Sequence, residues 1–122
     1  MPVGRNVHPA VEKAATLIRD EVEPWTLDRL ARQVDLSPSR LSYLFKSQTG
    51  ASLVHFRQRQ QIERFLRLYG EGKSRTLLSA ALDAGFGSYP QFHRVFKNYM
   101  RVSPREYRRR LQKKPLIRHE KH

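Results

Sequence analysis

The sequence predicts an all-α protein of about seven helices, with two helix-turn-helix subdomains joined by a long linker helix. Apolar residues recur at spacings of three and four almost throughout the chain, and no stretch shows the alternation of a half-buried strand. Serine, threonine, proline and glycine mark the helix boundaries. A chain of 122 residues has room for one compact domain or for two small subdomains that share a helix.

The first subdomain is predicted to contain three helices. The first starts at Pro9, the second follows the cap Thr26, and the third starts at Ser37 and ends at Gly50, which suits a left-handed helix end. In each of these helices one set of side chains is expected to face the core of the subdomain. They are Val11, Ala14, Ala15, Leu17, Ile18 and Val22 in the first, Leu27, Leu30, Ala31 and Val34 in the second, and Leu41, Leu44, Phe45 and Gln48 in the third.

The remainder of the chain is predicted as a linker helix, a second three-helix subdomain and a tail. Ser52 caps the linker helix, which runs to Tyr69, and the GEGKS segment at 70–74 is the one evident connector. A fifth helix then breaks at Gly85. The predicted segments are the first subdomain at 8–51, the linker helix at 52–70, the second subdomain at 71–113 and a charged tail at 114–122, which we expect to be disordered.

Helices six and seven have well-marked starts. Ser88 and Gln91 have the spacing of a capping box, and so do Ser103 and Glu106. The apolar positions expected to form the core face of the sixth helix are Phe92, Val95, Phe96 and Tyr99.

The chain contains an internal repeat. Residues 30–56 align with residues 80–107, with Leu30 matching Ala80 and Phe56 matching Tyr107, and the register shifts by one residue in the turn. Each copy reads as helix, short turn, helix, the geometry in which the second helix can enter a major groove. The sequence therefore contains two copies of one supersecondary unit.

The second copy closely resembles the signature of the AraC family of transcription regulators, and the first resembles the family's weaker amino-terminal unit. The matching residues are Ala81, Gly85, Phe86, Phe92, Arg94, Val95, Phe96, Lys97, Ser103, Pro104, Tyr107 and Arg108 in the second, and Leu30, Ala31, Ser37, Pro38, Leu41, Leu44, Phe45, Lys46 and Gly50 in the first. The resemblance implies seven helices, two helix-turn-helix units and sequence-specific control of transcription. Arg101, Gln60 and Leu66 depart from the pattern, and Arg101 stands where the family usually has glycine, which predicts an unusual end for the sixth helix.

Charge favours a polyanionic partner. The chain carries 24 Lys and Arg against 11 Asp and Glu, a net charge of +13. Nucleic acid, an anionic membrane surface or an acidic protein could each be the partner that this charge predicts.

No metal or catalytic site is predicted. Cysteine is absent, the histidines show no ligand spacing, and no acid, base and nucleophile converge, so we predict no metal, no cofactor and no enzymatic activity. No signal peptide or membrane span is apparent, and we expect a cytoplasmic protein without a membrane partner.

The candidate DNA-reading residues lie on the outer faces of the third and sixth helices. Arginine chelates guanine and glutamine pairs with adenine, so Arg40, Arg94 and Gln91 are the first choices for base contacts, and Tyr43 suits a thymine methyl group. A structural salt bridge or a phosphate contact stays open for Arg94. The predicted base readers are Ser39, Arg40, Ser42, Tyr43, Gln91, His93 and Arg94, and the predicted phosphate contacts are Lys46 and Lys97, which the repeat places at equivalent positions.

We predict a sequence-specific regulator that binds double-stranded DNA as a monomer, at an asymmetric site, through two successive major grooves. A linker helix of about 18 residues spans ~27 Å, slightly less than the ~34 Å between grooves, which predicts DNA bending. We predict an activator, for which RNA polymerase is a candidate partner, although the sequence leaves repression open. The alternative is a basic protein that coats nucleic acid without sequence preference.

Overall fold

The computed structural model describes residues 7–20, 25–71 and 76–120. These ranges contain seven α-helices and no strands, which confirms the predicted all-α class. The helices are α1 (Pro9–Asp20), α2 (Leu27–Gln33), α3 (Pro38–Thr49), α4 (Leu53–Glu71), α5 (Leu77–Asp83), α6 (Tyr89–Met100) and α7 (Pro104–Glu120). Val22 and residues 72–74 of the GEGKS connector lie outside the described residues.

The chain folds as two compact units, residues 1–64 and residues 65–122, which divide inside α4. The helix predicted as a separate linker therefore contributes residues to both units. The predicted subdomain bounds at 8–51 and 71–113 remain a prediction. The backbone of α7 continues to Glu120, into the 114–122 segment for which the sequence predicts disorder, and that disorder also remains a prediction.

The core of the first unit forms between α1, α2 and α3. Its buried members are Val11, Ala14, Ala15, Ile18, Trp25, Leu30, Ala31, Leu41, Leu44 and Phe45, with Phe56 of α4 packed against them. The Phe45 and Phe56 rings meet edge to face, with 5.3 Å between their centroids. Most of the predicted inward positions are thus confirmed, since the apolar spacing of each helix points one face at the others.

Leu27 is an exception, because the sequence predicts it in the core and its side chain is 40% exposed. It is the first residue of a seven-residue helix and borders an open apolar groove that Val54 also lines. Helical spacing alone therefore overestimates its burial. Gln48, the polar residue on the predicted inner face of α3, is half-buried and accepts a hydrogen bond from the His8 backbone N–H at 2.8 Å.

Trp25 links the first turns of α4 to α1 and α2, a role that was not predicted from the sequence. The indole is 6% exposed, and its Nε1 donates to the Leu17 carbonyl at 3.2 Å. The Arg57 guanidinium of α4 donates to the Trp25 carbonyl at 2.8 Å, and the Arg29 guanidinium lies 4.2 Å from the centre of the indole ring. Residues from three helices therefore meet at Trp25, two at its indole and one at its backbone carbonyl.

The core of the second unit is built mainly from aromatic rings. Phe65 of α4 is fully buried, with its ring centroid 4.6 Å from that of Phe92 and 5.6 Å from that of Phe96. Phe86 packs on Phe92 at 5.3 Å, and Tyr107 of α7 packs on Phe96 at 5.5 Å. Such contacts add to the burial of apolar area, and they hold α6 with one face inward.

Candidate nucleic-acid interface

The turn between α2 and α3 is a Schellman motif. Asp35 adopts the left-handed conformation, with φ of 59°. The Leu36 N–H donates to the Ala31 carbonyl at 3.1 Å, and the Asp35 N–H donates to the Arg32 carbonyl at 3.4 Å. These bonds satisfy the last carbonyls of α2 and reverse the chain abruptly, so that α3 starts immediately.

The turn between α5 and α6 repeats this geometry 50 residues later. Gly85 takes the left-handed position with φ of 101°, the Phe86 N–H donates to the Ala81 carbonyl at 3.1 Å, and the Gly85 N–H donates to Leu82 at 3.0 Å. The caps of the preceding helices also repeat, because Thr26 Oγ1 accepts from the Arg29 N–H and Thr76 Oγ1 from the Ser79 N–H. The cap at Thr26 was predicted and the cap at Thr76 was not, although a threonine precedes an apolar run in both places.

The one-residue register shift of the repeat lies at Gly87. In the first unit Leu36 is followed directly by the cap Ser37, whereas in the second unit Gly87 separates Phe86 from the cap Ser88. Each cap behaves as predicted. Ser37 Oγ accepts from the Arg40 N–H at 3.2 Å, and Ser88 Oγ accepts from the Gln91 N–H at 3.3 Å.

The predicted capping boxes are completed differently. Gln91 Oε1 accepts from the Gly87 N–H at 2.9 Å instead of the N–H of Ser88, because the inserted glycine places a donor just before the cap.

Ser103 Oγ accepts from the Glu106 N–H at 3.1 Å, but the Glu106 carboxylate turns forward along α7 and binds Arg109 and Arg110. The hydrogen bond from Arg109, and to a smaller extent that from Arg110, lowers the pKa of Glu106. Arg109 and Arg110 are thus engaged on the helix surface.

The outer face of α3 presents the residues that the sequence predicts as readers. Leu41 and Phe45 are fully buried on the inner face, which leaves the other side of the helix to solvent. The exposed residues are Ser39, Arg40, Ser42, Tyr43, Lys46 and Ser47, and Tyr43 is 67% exposed. Their contact with DNA remains a prediction.

The outer face of α6 is more varied. Arg94 and Lys97 are exposed, whereas Gln91 and His93 are half-buried. The His93 ring lies 6.3 Å from that of Tyr89, so a neighbouring aromatic ring restricts its approach to a partner. In the part of the chain that the structure describes, Arg94 has no hydrogen bond or ion pair, which argues against the alternative of a structural salt bridge.

Neither α3 nor α6 contains an acidic residue. The two helices have 12 residues each, and they carry Arg40, Lys46, Arg94 and Lys97 on their exposed faces. The 11 acidic residues of the chain all lie elsewhere. The outer face of each helix is therefore free of carboxylates that would repel a phosphate backbone.

The two helices end at backbone positions of the same kind. The Gly50 N–H donates to the Lys46 carbonyl with φ of 85°, and the Arg101 N–H donates to the Lys97 carbonyl with φ of 67°. Arg101 is thus a non-glycine residue in the left-handed region, which confirms the predicted unusual end of the sixth helix.

The exposed surface of α4 carries an ion pair. Arg59 and Glu63 of α4 form an exposed ion pair with 3.4 Å between Arg59 Nε and Glu63 Oε2, as their spacing predicts. Among the side chains that the structure describes, within residues 7–20, 25–70 and 76–112, no three from His, Asp or Glu lie close enough to hold a metal ion. No helix in those ranges is long and apolar enough to cross a membrane.

Two helix-turn-helix units in tandem, each with an exposed basic second helix, define the class of helix-turn-helix domains. The profile of the family described as "Helix-turn-helix domain" matches residues 30–110. The chain belongs to this family, the AraC-type DNA-binding domains of transcription regulators.

Solved structures of this type resemble the chain closely. The C-terminal domain of AraT, a response regulator from Geobacillus stearothermophilus, is 27% identical with a TM-score of 0.77, over 85% of this chain and 87% of that one. A transcriptional regulator with an AraC-type DNA-binding domain from Chromobacterium violaceum is 27% identical with a TM-score of 0.73, over 84% and 91% of the respective chains.

Among the relatives is the arabinose operon regulatory protein of Escherichia coli, which is 32% identical over 112 residues. The matched region covers 87% of this chain and 38% of that protein. The transcriptional regulator ArgR of Pseudomonas aeruginosa is 28% identical over 102 residues, covering 83% of this chain and 31% of that protein. The chain thus spans less than half the length of these relatives, which are transcription regulators.

Proposed function

We propose that this chain is the sequence-specific DNA-binding part of a transcription regulator, with α3 and α6 reading two successive major grooves of double-stranded DNA. The observation that carries the proposal is the repeated unit itself, a Schellman turn followed by an acid-free helix with an exposed basic face. A helix held in this way can enter a major groove while its predecessor supports it.

Base reading is assigned to the exposed polar residues of the two helices, with Arg40 and Arg94 as principal contacts. Each guanidinium can chelate guanine O6 and N7, and a good bidentate pair discriminates against the wrong base by about 1–3 kcal/mol. Replacing either arginine by alanine should therefore relax sequence preference at one position of the site. A uniform loss of affinity on all sequences would instead assign that arginine to phosphate.

Lys46 and Lys97 are assigned to phosphates, because they lie exposed in the last turns of α3 and α6. Each neutralised phosphate contributes about one unit to the slope of log affinity against log salt. Lys46→Ala and Lys97→Ala should each lower that slope by about one on specific and random DNA alike. Lys13→Ala, at an exposed position of α1, is the matched control and should leave the slope unchanged.

The decisive experiment is selection of bound duplexes from a random pool, followed by affinity measurements on selected and random DNA at several salt concentrations. We expect a preference of about a thousandfold or more for the selected site. Equal affinity for all sequences would favour the alternative of a protein that coats nucleic acid without sequence preference. The net charge of +13 is the observation that supports this alternative. An asymmetric selected site, bound by one chain, is expected, since the two reading helices differ in sequence.

We further propose that the whole regulator acts in the cytoplasm as an activator that contacts RNA polymerase. The support is its kinship with operon regulators such as the arabinose operon regulatory protein. A reporter gene placed behind the selected site should be transcribed more strongly when the protein is present, and reduced transcription would make it a repressor. Energy transfer between dyes at the two ends of the site tests the predicted bending.

A further inference from the structure

The first turn of α6 contains a side-chain contact that the chemistry of α3 does not allow. The Gly87 N–H donates to Gln91 Oε1 at 2.9 Å, while the N–H of Gln91 itself donates to Ser88 Oγ. In the first unit the equivalent of Gln91 is Arg40, whose side chain has no acceptor, and Gly87 has no equivalent. The contact therefore depends on the inserted glycine and the glutamine together.

This contact fixes which end of the Gln91 carboxamide points outward. A backbone N–H can only donate, so the oxygen of the carboxamide must face Gly87 and the Nε2 amide must point away from it. Among the described residues Nε2 has no hydrogen-bond partner, and it is not one of the buried unpaired polar atoms. The free protein thus offers two N–H donors at this position, with its acceptor turned towards the backbone.

The two-bond pairing of glutamine with adenine needs both ends of the carboxamide. The oxygen must accept from adenine N6 while the nitrogen donates to N7. Turning Oε1 towards N6 would break the bond to Gly87 and weaken binding about fivefold, the equivalent of one exposed hydrogen bond. Guanine makes no such demand, because its major-groove edge presents two acceptors, O6 and N7.

We infer that Gln91 is a donor-only contact, whose Oε1 stays on Gly87 in the DNA complex and whose Nε2 donates to the O6 and N7 edge of a guanine. The inference rests on the proposed function and replaces the adenine pairing expected from the sequence. It also makes the two units alike at this position. Arg40 offers only donors by its chemistry, and Gln91 does so because Gly87 occupies its acceptor.

The first test follows the Gly87 N–H directly. Labelling glycine with ¹⁵N gives one amide signal for each of the six glycines, and hydrogen exchange then reports on Gly87. Gln91→Glu keeps the acceptor and removes the donors, whereas Gln91→Met removes both. We expect Gly87 to be protected in the wild type, in Gln91→Glu and in the wild-type complex with selected DNA, and to exchange faster in Gln91→Met. Faster exchange of wild-type Gly87 on DNA binding would overturn the inference.

The second test uses altered bases in the selected site. Replacing the contacted guanine by 7-deazaguanine should weaken wild-type binding about fivefold and should have a smaller effect on Gln91→Met. Gln91→Glu should also bind the site at least about fivefold more weakly, through loss of the donors and through its charge. Gln112→Glu, the same change at an exposed position of α7, measures the effect of charge alone.

The outcomes separate the two proposals. An adenine whose 6-amino group contributes to binding in the wild type, but not in Gln91→Met, would overturn the donor-only assignment and leave the proposed function intact. Failure to select any preferred site would overturn the proposed function, and the inference with it. A selected site whose guanine dependence requires Gln91, with Gly87 still protected, is the result that we expect.

Discussion

The end of α6 allows a substitution whose effect can be worked out from the backbone alone. Arg101 has φ of 67°, a conformation that costs a residue with a Cβ roughly 1–2 kcal/mol. Glycine removes this cost, but its greater conformational freedom in the unfolded chain lowers the free energy of unfolding by about 0.5–1 kcal/mol. Arg101→Gly should therefore raise the free energy of unfolding by about 1 kcal/mol, or the melting temperature by about 4 °C for a chain of this length.

Two variants isolate this effect from other consequences of the change. Arg101→Ala removes the guanidinium and keeps the Cβ in the left-handed region, so glycine should exceed alanine in stability by about 1 kcal/mol. Gly50→Ala makes the reverse change at the end of α3, where φ is 85° and an added Cβ would meet no atom within 4 Å. Its cost is purely conformational, and the variant should be about 1 kcal/mol less stable.

The measurement is chemical denaturation followed by circular dichroism, with thermal melting as a second method. An Arg101→Gly protein no more stable than Arg101→Ala would refute the reasoning. It would mean that the left-handed backbone at this position is not a source of strain. An unchanged stability of Gly50→Ala would lead to the same conclusion for the first unit.

Three further predictions concern the core, a cap and pH. Phe96→Ala should cost about 3–5 kcal/mol in urea unfolding, because the ring is fully buried, and a loss no larger than that of a cap variant would contradict its central place. Thr26→Ala should cost about 1 kcal/mol, whereas Thr26→Ser should keep the cap and the stability. Glu106 has a lowered pKa in the folded protein because Arg109 and Arg110 bind its carboxylate. The ionised carboxylate therefore contributes stability that is present above the ordinary pKa of a glutamate and is lost as the pH falls through the lowered value. Glu106→Gln should lose that part of the acid sensitivity in melts between neutral and strongly acidic pH, and an unchanged pH profile would contradict the assignment.

Much of the fold was predictable because its signals are local. A serine or threonine before an apolar run, a proline at the first helical position and a glycine at a helix end act within one helical turn, so Ser37, Ser88 and Gly50 could be interpreted from neighbouring residues alone. The unusual helix end at Arg101 was predicted differently, from the resemblance to a family that usually has glycine at this position. The repeat then indicated that the same turn occurs twice.

The details of the candidate interface were less predictable. The spacing of Ser88 and Gln91 indicated a capping box, but the partner of the Gln91 oxygen depends on where the inserted Gly87 places its N–H. Glu106 had two sets of available donors, those of the cap and those of the next turn, and spacing does not decide between them. In both cases more than one donor is within reach of the same side-chain oxygens, and the spacing of the residues does not show which donor is used.

The sequence by itself determined the helix boundaries, the two turns and the outward basic faces of α3 and α6, since each follows from interactions between residues a few positions apart. Only the tertiary structure decided which apolar side chains complete the cores. Trp25 is buried because its indole reaches the Leu17 carbonyl and its own carbonyl meets Arg57, and Phe65 is buried because Phe92 and Phe96 surround it. Leu27 and Leu30 have core-facing helical spacing and line the same groove, yet Leu30 is 2% exposed and Leu27, at the first position of α2, is 40% exposed. Burial depends on partners distant in the chain, and periodicity does not specify them.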